Sequence, residues 1–414
     1  MSGLRTIERD RGKGLAPEGD SAPLAPVVLR WLESQSDAML SLLEELVLLE
    51  SPSHDAQAQQ PVLDRLAEAL EGSGLTIRRF RGKSTGGYLL GRSSRTTGTP
   101  GQLLLGHCDT VWPHGTLESM PWRVEGTVVR GPGIYDMKGG LVQGIFALRA
   151  LRELGLEPAV APYFLINSDE EIGSRESRRA IERLARSMDR VLVLEPSLGR
   201  EGRLKTARKG VGRFTVRVQG KAAHAGLDPE RGASAILELS FAIQKLFALN
   251  DPEHGTTVNV GQVDGGLRPN VVAPESKAEV DVRVLTREDA RRVEAEILAM
   301  EAQTPGVQLK VEGGVDRPPL EPTARNRVLW RRARSLAGDL GIELQEGTAG
   351  GGSDGNYTSL FTATLDGLGA VGDGAHATNE FIDRQRMVER TALLALLLLT
   401  PPVDPSELAP EDRS

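Results

Sequence analysis

The sequence predicts an α/β protein in which helices cover a mixed, largely parallel sheet and a smaller α+β domain is inserted into the chain. Three observations predict this fold class. Apolar runs of strand length alternate with helical patterns over residues 75–194. Near residue 206 the pattern changes to strands in which apolar and polar residues alternate. The first pattern returns near residue 319.

The first part of the chain begins with about 25 polar residues rich in glycine and proline, which predicts a flexible tail. Apolar residues at helical spacing then predict helices over 31–50 and 61–71. The alternating region that follows is predicted to contain strands over 75–81, 102–106, 160–167 and 191–194, and helices over 137–154 and 175–187. This order is typical of a parallel sheet with helical crossovers.

The inserted part begins with an alternating strand over 212–219. The next predicted elements are a helix over 232–249, strands over 256–263 and 276–285, a helix over 287–302 and a strand over 307–311. This β-α-β-β-α-β order is typical of a small sandwich with helices on one face. The predicted organisation is a tail over 1–27, a main domain over 28–207 and 318–402, an inserted domain over 208–317 and a second tail over 403–414.

Composition excludes several classes of partner. The 414 residues carry a net charge of −7, which gives no basic footprint for nucleic acid or an anionic membrane. The apolar stretch at 393–399, inside a last helix predicted over 384–399, is too short to cross a bilayer. One cysteine, Cys108, excludes an internal disulfide framework, and the N-terminus lacks the apolar core of a secretory signal. We therefore expect a cytoplasmic protein.

Five short motifs place histidine or acidic residues at predicted strand ends or in glycine-rich turns. They are HCDTV with His107 and Asp109, GPGIYDMKGG with Asp136, SDEEIGS with Glu170 and Glu171, LEPS with Glu195, and GDGAHATNEF with His376. Sites in open α/β sheets form at the carboxyl ends of the strands. Four of these motifs lie where that rule requires.

The side chains in these motifs favour a metal site. Imidazole and carboxylate are zinc ligands, and a shared carboxylate can bridge two ions. The four acids Asp136, Glu170, Glu171 and Glu195 would carry about −4 if ionised and clustered, and without cations such a cluster would have to take up protons. Two divalent cations would remove that cost.

Each motif also has an ordinary structural interpretation. The Glu170-Glu171 pair suits the start of a helix, where acids interact well with the helix dipole. Glu195 could be a buried acid with a hydrogen-bond partner, and His376 a turn residue among glycines. The metal hypothesis therefore depends on all five motifs occurring together, in this order, in one α/β frame.

Together with KAAHAG and GGGSD, these motifs resemble the co-catalytic zinc peptidases that include folate-cleaving glutamate carboxypeptidase, aminoacylase and succinyl-diaminopimelate desuccinylase. The glutamate carboxypeptidase branch is the most similar. The resemblance covers about residues 39–399. It implies a zinc exopeptidase fold in which a lid, also the dimerisation domain, interrupts the catalytic domain.

The resemblance implies a role for each matching residue. His107 and Glu195 would bind one zinc ion, Glu171 and His376 the other, and Asp136 both. Two Zn²⁺ per chain are expected, with Co²⁺ or Mn²⁺ as alternatives, since carboxylate-rich sites accept several metals.

Two neighbouring acids would act without binding metal. Asp109 would hold the far nitrogen of His107 and fix its tautomer. Glu170 would be the general base. The resemblance also implies a cis peptide between Asp136 and Met137.

The inserted domain would supply residues for the substrate. His224 would donate to the carbonyl oxygen as charge develops, in its own site or in that of a partner chain. Asn270 and Arg283 would grip a free carboxylate. Further candidate substrate-binding residues are Gly351, Gly352 and Arg317.

The expected function is zinc-dependent hydrolysis of an amide bond next to a free carboxylate, with C-terminal glutamate as a candidate leaving residue. An N-acyl amino acid deacylase or desuccinylase stays open, because it shares the chemistry and differs in pocket shape. A non-catalytic binding scaffold is the third alternative. A small dipeptide-like substrate and a homodimer formed through the inserted domain are the expected partners.

Overall fold

The computed structural model of the chain describes residues 24–93 and 100–407. Most of the two predicted tails, residues 1–23 and 408–414, lies outside these ranges. The first helix begins at Leu24, seven residues earlier than the pattern predicts.

In the described residues, the helices are α1 (Leu24–Ser34), α2 (Ser36–Leu48), α3 (Gln59–Glu71), α4 (Thr116–Ser119), α5 (Gly139–Glu153), α6 (Arg178–Ala185), α7 (Ala235–Ala248), α8 (Arg287–Leu298), α9 (Ala324–Asp339), α10 (Gly355–Thr358) and α11 (Arg384–Leu399). The strands are β1 (Leu75–Phe80), β2 (Tyr88–Ser93), β3 (Gly101–His107), β4 (Arg123–Glu125), β5 (Val128–Arg130), β6 (Ala161–Asn167), β7 (Met188–Val193), β8 (Leu204–Arg208), β9 (Gly210–Gln219), β10 (Thr257–Gly265), β11 (Glu275–Val284), β12 (Gln308–Arg317), β13 (Glu346–Ala349), β14 (Ala363–Leu365), β15 (Gly372–Asp373) and β16 (Phe381–Asp383).

The main sheet has six strands in the order β1-β2-β6-β3-β7-β14. Strands β6, β3, β7 and β14 are parallel neighbours, and only β2 runs against the rest. Every residue of β3 is buried, as expected for a strand with both faces covered. Helix α11 packs against α5 and α1 over this sheet. The predicted mixed, largely parallel sheet covered by helices is confirmed.

A second sheet has four antiparallel strands in the order β10-β11-β9-β12. Burial alternates along β9 and β11, so one face of the sheet is apolar and the other polar. Helices α7 and α8 pack on the apolar face and enclose a hydrophobic cluster of their own. Strand β10 lies at an edge of this sheet.

The chain enters the second sheet after Arg208, at the end of a two-stranded sheet formed by β13 and β8, and leaves it after Arg317. The two crossings lie side by side, because the backbone N–H and C=O of Arg208 both pair with Leu320 at 3.0 Å. No described helix is both long enough and apolar enough to cross a membrane.

Several predicted elements differ from the structure. The single helix predicted over 31–50 is two helices, α1 and α2, separated at Gln35. The helix predicted to start at Met137 begins at Gly139, because Asp136 and Met137 have non-helical backbone angles. The elements that were not predicted are strands β2, β4, β5, β8, β13, β14, β15 and β16 and helices α4, α9 and α10. Apart from β2 and α9, each of them has five residues or fewer.

Candidate metal centre

The candidate site residues on the main sheet, three ligands and the expected general base Glu170, come directly from strand ends. His107 is the last residue of β3. Glu170 and Glu171 form a short 3₁₀ turn after β6, and Glu195 follows β7. Because β6, β3 and β7 are parallel neighbours, these four side chains meet at one edge of the sheet.

The two remaining proposed ligands, Asp136 and His376, come from turns. Asp136 lies in the irregular turn before α5, next to a cis peptide that joins it to Met137, as the resemblance implies. His376 lies between β15 and β16 with a φ of 60°, which is unusual for a residue other than glycine. A Cβ on Gly140 would lie 2.0 Å from the carbonyl oxygen of Leu194. Glycine therefore lets α5 approach the strand end that carries Glu195.

Asp136 lies between two pairs of side chains. Its Oδ1 is 3.4 Å from Nε2 of His107, and the same nitrogen is 3.5 Å from Oε1 of Glu195. Its Oδ2 is 3.5 Å from Nε2 of His376, which is 3.1 Å from Oε2 of Glu171. Each oxygen of Asp136 thus faces a histidine nitrogen, and a glutamate oxygen lies next to the same nitrogen.

The donor atoms fit divalent cations. Nε2 of His107 and Oδ1 of Asp136 are both buried without a hydrogen-bond partner in the described residues. Ligand atoms of His107, Asp136 and Glu171 lie within 4.8 Å of one another, and so do those of His107, Glu170 and Glu195. Buried polar atoms without partners are costly, and a cation bound by imidazole and carboxylate would satisfy them.

The pKa values of the acids diverge strongly. Burial raises the pKa of Glu171 to about 8, although its contact with His376 acts to lower that pKa. Burial also acts on Asp136, but its close contacts with His107 and His376 outweigh burial and lower its pKa. Burial of Glu195 is likewise outweighed, chiefly by the Arg208 charge, and its pKa is about 2. Neighbouring acids that cannot all ionise alike indicate a site that needs added positive charge.

Asp109 holds the turn that carries Glu170 and Glu171. Its two carboxylate oxygens accept the backbone N–H groups of Glu170 and Glu171, each at 3.2 Å. Nδ1 of His107 lies 3.4 Å from Oδ1 of Asp109 and 3.0 Å from its backbone oxygen. The residue therefore contacts both the histidine and the acidic turn.

Glu170 forms a buried ion pair with Arg317, 2.5 Å between Nη1 and Oε1. Burial raises the pKa of Glu170, although the Arg317 charge acts against it. Arg317 is the last residue of β12 and also lies over the ring of Tyr357. The candidate base is thus held by a residue at the crossing between the two sheets.

Sequence reasoning missed two residues that support the ligands. Glu380 accepts the backbone N–H groups of Gly133, Tyr135 and Asp136 at 2.8–3.0 Å and so fixes the turn that presents Asp136. Arg208 donates to Glu195 at 2.8 Å. Glu380 lies four residues after His376 in the same motif, a position that could have drawn attention to it. Arg208 has no comparable local signal.

A cavity of about 630 Å³ opens beside the acidic centre. Four of the predicted substrate-binding residues line it together with Glu170, Glu171 and His376, namely Arg283, Arg317, Gly351 and Gly352. Arg283 pairs with Asp281 on its own strand, 2.8 Å between Nε and Oδ1. The structure therefore brings these predicted residues to the candidate site.

His224 and Asn270 lie outside this cavity. Both are exposed, and their two loops pair through a 3.0 Å hydrogen bond from the N–H of Ala225 to the Asn270 carbonyl. Nδ1 of His224 accepts the N–H groups of Gly226 and Leu227, each at 3.2 Å. Neither residue lines the cavity beside the acidic centre.

Two histidines and four acids at the strand ends of an α/β sheet, beside a cavity, define a metal-dependent hydrolase. The chain belongs to peptidase family M20/M25/M40, whose family model matches residues 103–400. It is therefore an M20-type metallopeptidase, of a carboxypeptidase-like or dipeptidase-like kind.

Named relatives agree with this assignment. The chain is 29% identical over 398 residues to carboxypeptidase G2 of Pseudomonas sp. (strain RS-16), with 94% of each chain covered. It is 32% identical over 257 residues to a peptidase M20 domain-containing protein of Schizosaccharomyces pombe, with 60% of each chain covered.

Solved structures share the fold. Aminopeptidase PepT from Bacillus cereus matches with a TM-score of 0.74 and 23% identity, covering 88% of this chain and 98% of that one. The M20 metallo-carboxypeptidase Sso-CP2 from Sulfolobus solfataricus matches with a TM-score of 0.67 and 18% identity, covering 87% and 98%. The YXEP protein of Bacillus subtilis, described as a dinuclear metal binding peptidase, matches with a TM-score of 0.64 and 15% identity, covering 89% and 98%.

Proposed function

We propose that this protein is a two-zinc hydrolase that cleaves an amide bond next to a free carboxylate, acting as a carboxypeptidase. The observation that carries the proposal is the position of Asp136, with a histidine facing each of its oxygens and a glutamate next to each histidine. That arrangement suits two cations that share one carboxylate. The similarity to carboxypeptidase G2 over nearly the whole chain supports the reaction type.

In this proposal His107 and Glu195 would hold one cation, Glu171 and His376 would hold the other, and Asp136 would contribute to both sites. Zinc is the favoured ion because the donors are imidazole and carboxylate, with cobalt and manganese as alternatives. When bound, the ions supply Lewis-acid polarisation of the scissile carbonyl and make water a better nucleophile.

Glu170 is the proposed general base. Its carboxylate would take a proton from the attacking water and return it to the nitrogen of the leaving amine. Burial raises its pKa, which suits a group that must both accept and release a proton near neutral pH. Asp109 would keep this carboxylate in place through the backbone N–H bonds of the acidic turn.

The cavity wall supports an acidic substrate. Five arginines line the cavity, namely Arg175, Arg178, Arg213, Arg283 and Arg317. Within residues 24–93 and 100–407, the side chains of Arg175 and Arg213 have neither a hydrogen-bond nor an ion-pair partner. Guanidinium groups suit carboxylates, so a C-terminal residue with its own side-chain carboxylate, such as glutamate, would be favoured.

A homodimer completes the proposal. Helix α7 and the edge strand β10 expose Ile236, Leu237, Phe247 and Val263, each 47–59% exposed. An exposed apolar surface next to an open strand edge suits pairing with a second copy. His224 and Asn270 would then act on the carbonyl and the carboxylate of a substrate in the partner's cavity. We also propose a reducing compartment, the cytoplasm, since Cys108 is a buried free thiol.

A hydrolysis screen tests the proposed function. Dipeptides and N-acyl amino acids, each with C-terminal glutamate, glutamine or alanine, are incubated with enzyme before and after treatment with a chelator. We expect release of glutamate to exceed release of glutamine, and chelation to abolish all turnover until zinc is restored. Turnover that survives complete metal removal would contradict the proposal. Preference for N-acyl over dipeptide substrates would instead identify the deacylase alternative.

A further inference from the structure

Arg208 lies where the chain leaves the two-stranded sheet β13-β8 and enters the four-stranded sheet β10-β11-β9-β12. It ends β8, and β9 begins two residues later at Gly210. Its side chain is buried, with 3% of the residue exposed. Its backbone pairs with Leu320, on the segment that returns from the four-stranded sheet. The residue therefore belongs to both crossings.

The guanidinium of Arg208 makes five hydrogen bonds with three parts of the chain. Nε and Nη2 donate to the two carboxylate oxygens of Asp366 at 2.8 and 2.9 Å, and Nη2 also donates to Oε2 of Glu195 at 2.8 Å. Nη1 donates to the carbonyl oxygens of Gly351 and Gly352, each at 3.2 Å. An arginine has five N–H donors in one plane, so all of them are used.

The three parts of the chain that accept hydrogen bonds from Arg208 have different roles in the proposed function. Glu195 is a proposed metal ligand. Gly351 and Gly352 line the cavity beside it. Asp366 is fully buried and also accepts the hydroxyl of Ser353 at 2.6 Å, which anchors the same glycine segment. Because the guanidinium plane is rigid, none of these groups can shift without disturbing the others.

We infer that Arg208 is a positioning residue that sets the place of the metal ligand Glu195 relative to the substrate wall at Gly351 and Gly352. This inference rests on the proposed two-metal function. It predicts an asymmetric effect, because Arg208 contacts Glu195 and none of the other proposed ligands. Loss of the fork would weaken one cation site and leave the other intact.

The position of Lys205 indicates that Arg208 does more than supply positive charge beside Glu195. Its buried ammonium lies 4.0 Å from the same oxygen of Glu195. A second positive charge is therefore already present beside this ligand. What Lys205 lacks is the planar fork that reaches Asp366 and the glycine carbonyls at the same time. The substitution Arg208→Lys keeps the charge and removes the fork, so it isolates the positioning role.

The test consists of two titrations of metal-free protein. In the first, Co²⁺ is added and its binding is measured by visible absorption. In the second, Zn²⁺ is added in competition with a chelator. We expect two cations per wild-type chain. In R208K we expect one of the two to bind about 10- to 100-fold more weakly, the loss typical when a group that orients a metal ligand is removed. We also expect KM to rise about tenfold, because the glycine wall is released, while the second cation binds as in the wild type.

The matched control is Arg190→Lys. Arg190 is also buried in the main domain, and its guanidinium donates to Gln102, Thr400 and Pro401, none of which is a proposed ligand. This variant should lose thermal stability and keep both metal affinities. Asp366→Asn, which leaves the Glu195 contact in place, should weaken the same cation site by a smaller factor and serves if R208K does not fold.

The inference is overturned if R208K binds both cations as tightly as the wild type, if both sites weaken equally, or if R190K gives the same loss. A wild-type chain that binds no divalent cation would overturn the proposed function as well. The two failures are therefore distinguishable in one titration.

Discussion

The main sheet and the four-stranded sheet present their candidate functional residues in different ways. At the end of the main sheet, Asp136 contacts two histidines in a centre where most groups are buried or half-buried. On the other sheet and its loops, His224 and Asn270 are exposed and contact each other's loops. Parallel strands bring distant parts of one chain together at one edge. The inserted residues must reach a site through movement or through a second chain.

The largest expected effect comes from the buried centre. Glu170→Gln should lower kcat by about 10²- to 10⁴-fold, because the proton acceptor is lost while the shape of the side chain is kept. Metal content, measured by elemental emission, should stay at the wild-type level. The control is Glu238→Gln in α7, which replaces a buried acid that accepts the backbone N–H groups of Gln303 and Thr304. Wild-type turnover in E170Q would remove Glu170 from the mechanism.

The exposed region should give the next largest effect. His224→Ala should lower kcat by about 10²- to 10³-fold, the loss typical when one donor to a developing oxyanion is removed. The sharper measurement is a mixture of H224A with E170Q after subunit exchange. If His224 acts in the partner's site, each mixed dimer contains one intact site. Because about half of the dimers are mixed when the two variants are combined equally in a C2 dimer, about a quarter of all sites recover activity.

No recovery in that mixture, with exchange verified by differently tagged chains, would place His224 in its own chain's site. In that case His224 would reach the candidate site through a movement within its own chain. Full activity of a monomeric protein would lead to the same conclusion.

The smallest expected effect concerns the cavity wall. Arg213→Ala should raise KM about tenfold for a substrate with C-terminal glutamate and much less for one with glutamine, since a hydrogen bond to a charged group is worth about 1.5–3 kcal/mol. Arg217→Ala is the matched control, because Arg217 lies four residues away on the same exposed face of β9 and does not line this cavity. Equal changes in KM for both substrates would assign Arg213 a structural role.

The sequence could predict the ligands because chemistry and position coincided in short motifs. His107 ends an apolar strand, and Glu170 and Glu195 come shortly after two others. In a parallel sheet, strand order alone brings such ends together. The same reasoning could not find Arg208. Arg208 lies in the string TARKG, 158 residues before its partner Asp366. Local periodicity predicts which residues are buried, but it does not predict which residues they contact.

The sequence by itself determined the alternation that makes the sheet, the change of pattern that marks the second sheet, and the set of imidazole and carboxylate groups. These properties are local, since they depend on side-chain type and spacing along a few turns or strands. Only the tertiary structure decided that Arg317 pairs with Glu170, that Glu380 holds the Asp136 turn, and that His224 lies outside the cavity. Those contacts join residues far apart in the chain, and the packing of the whole fold selects them.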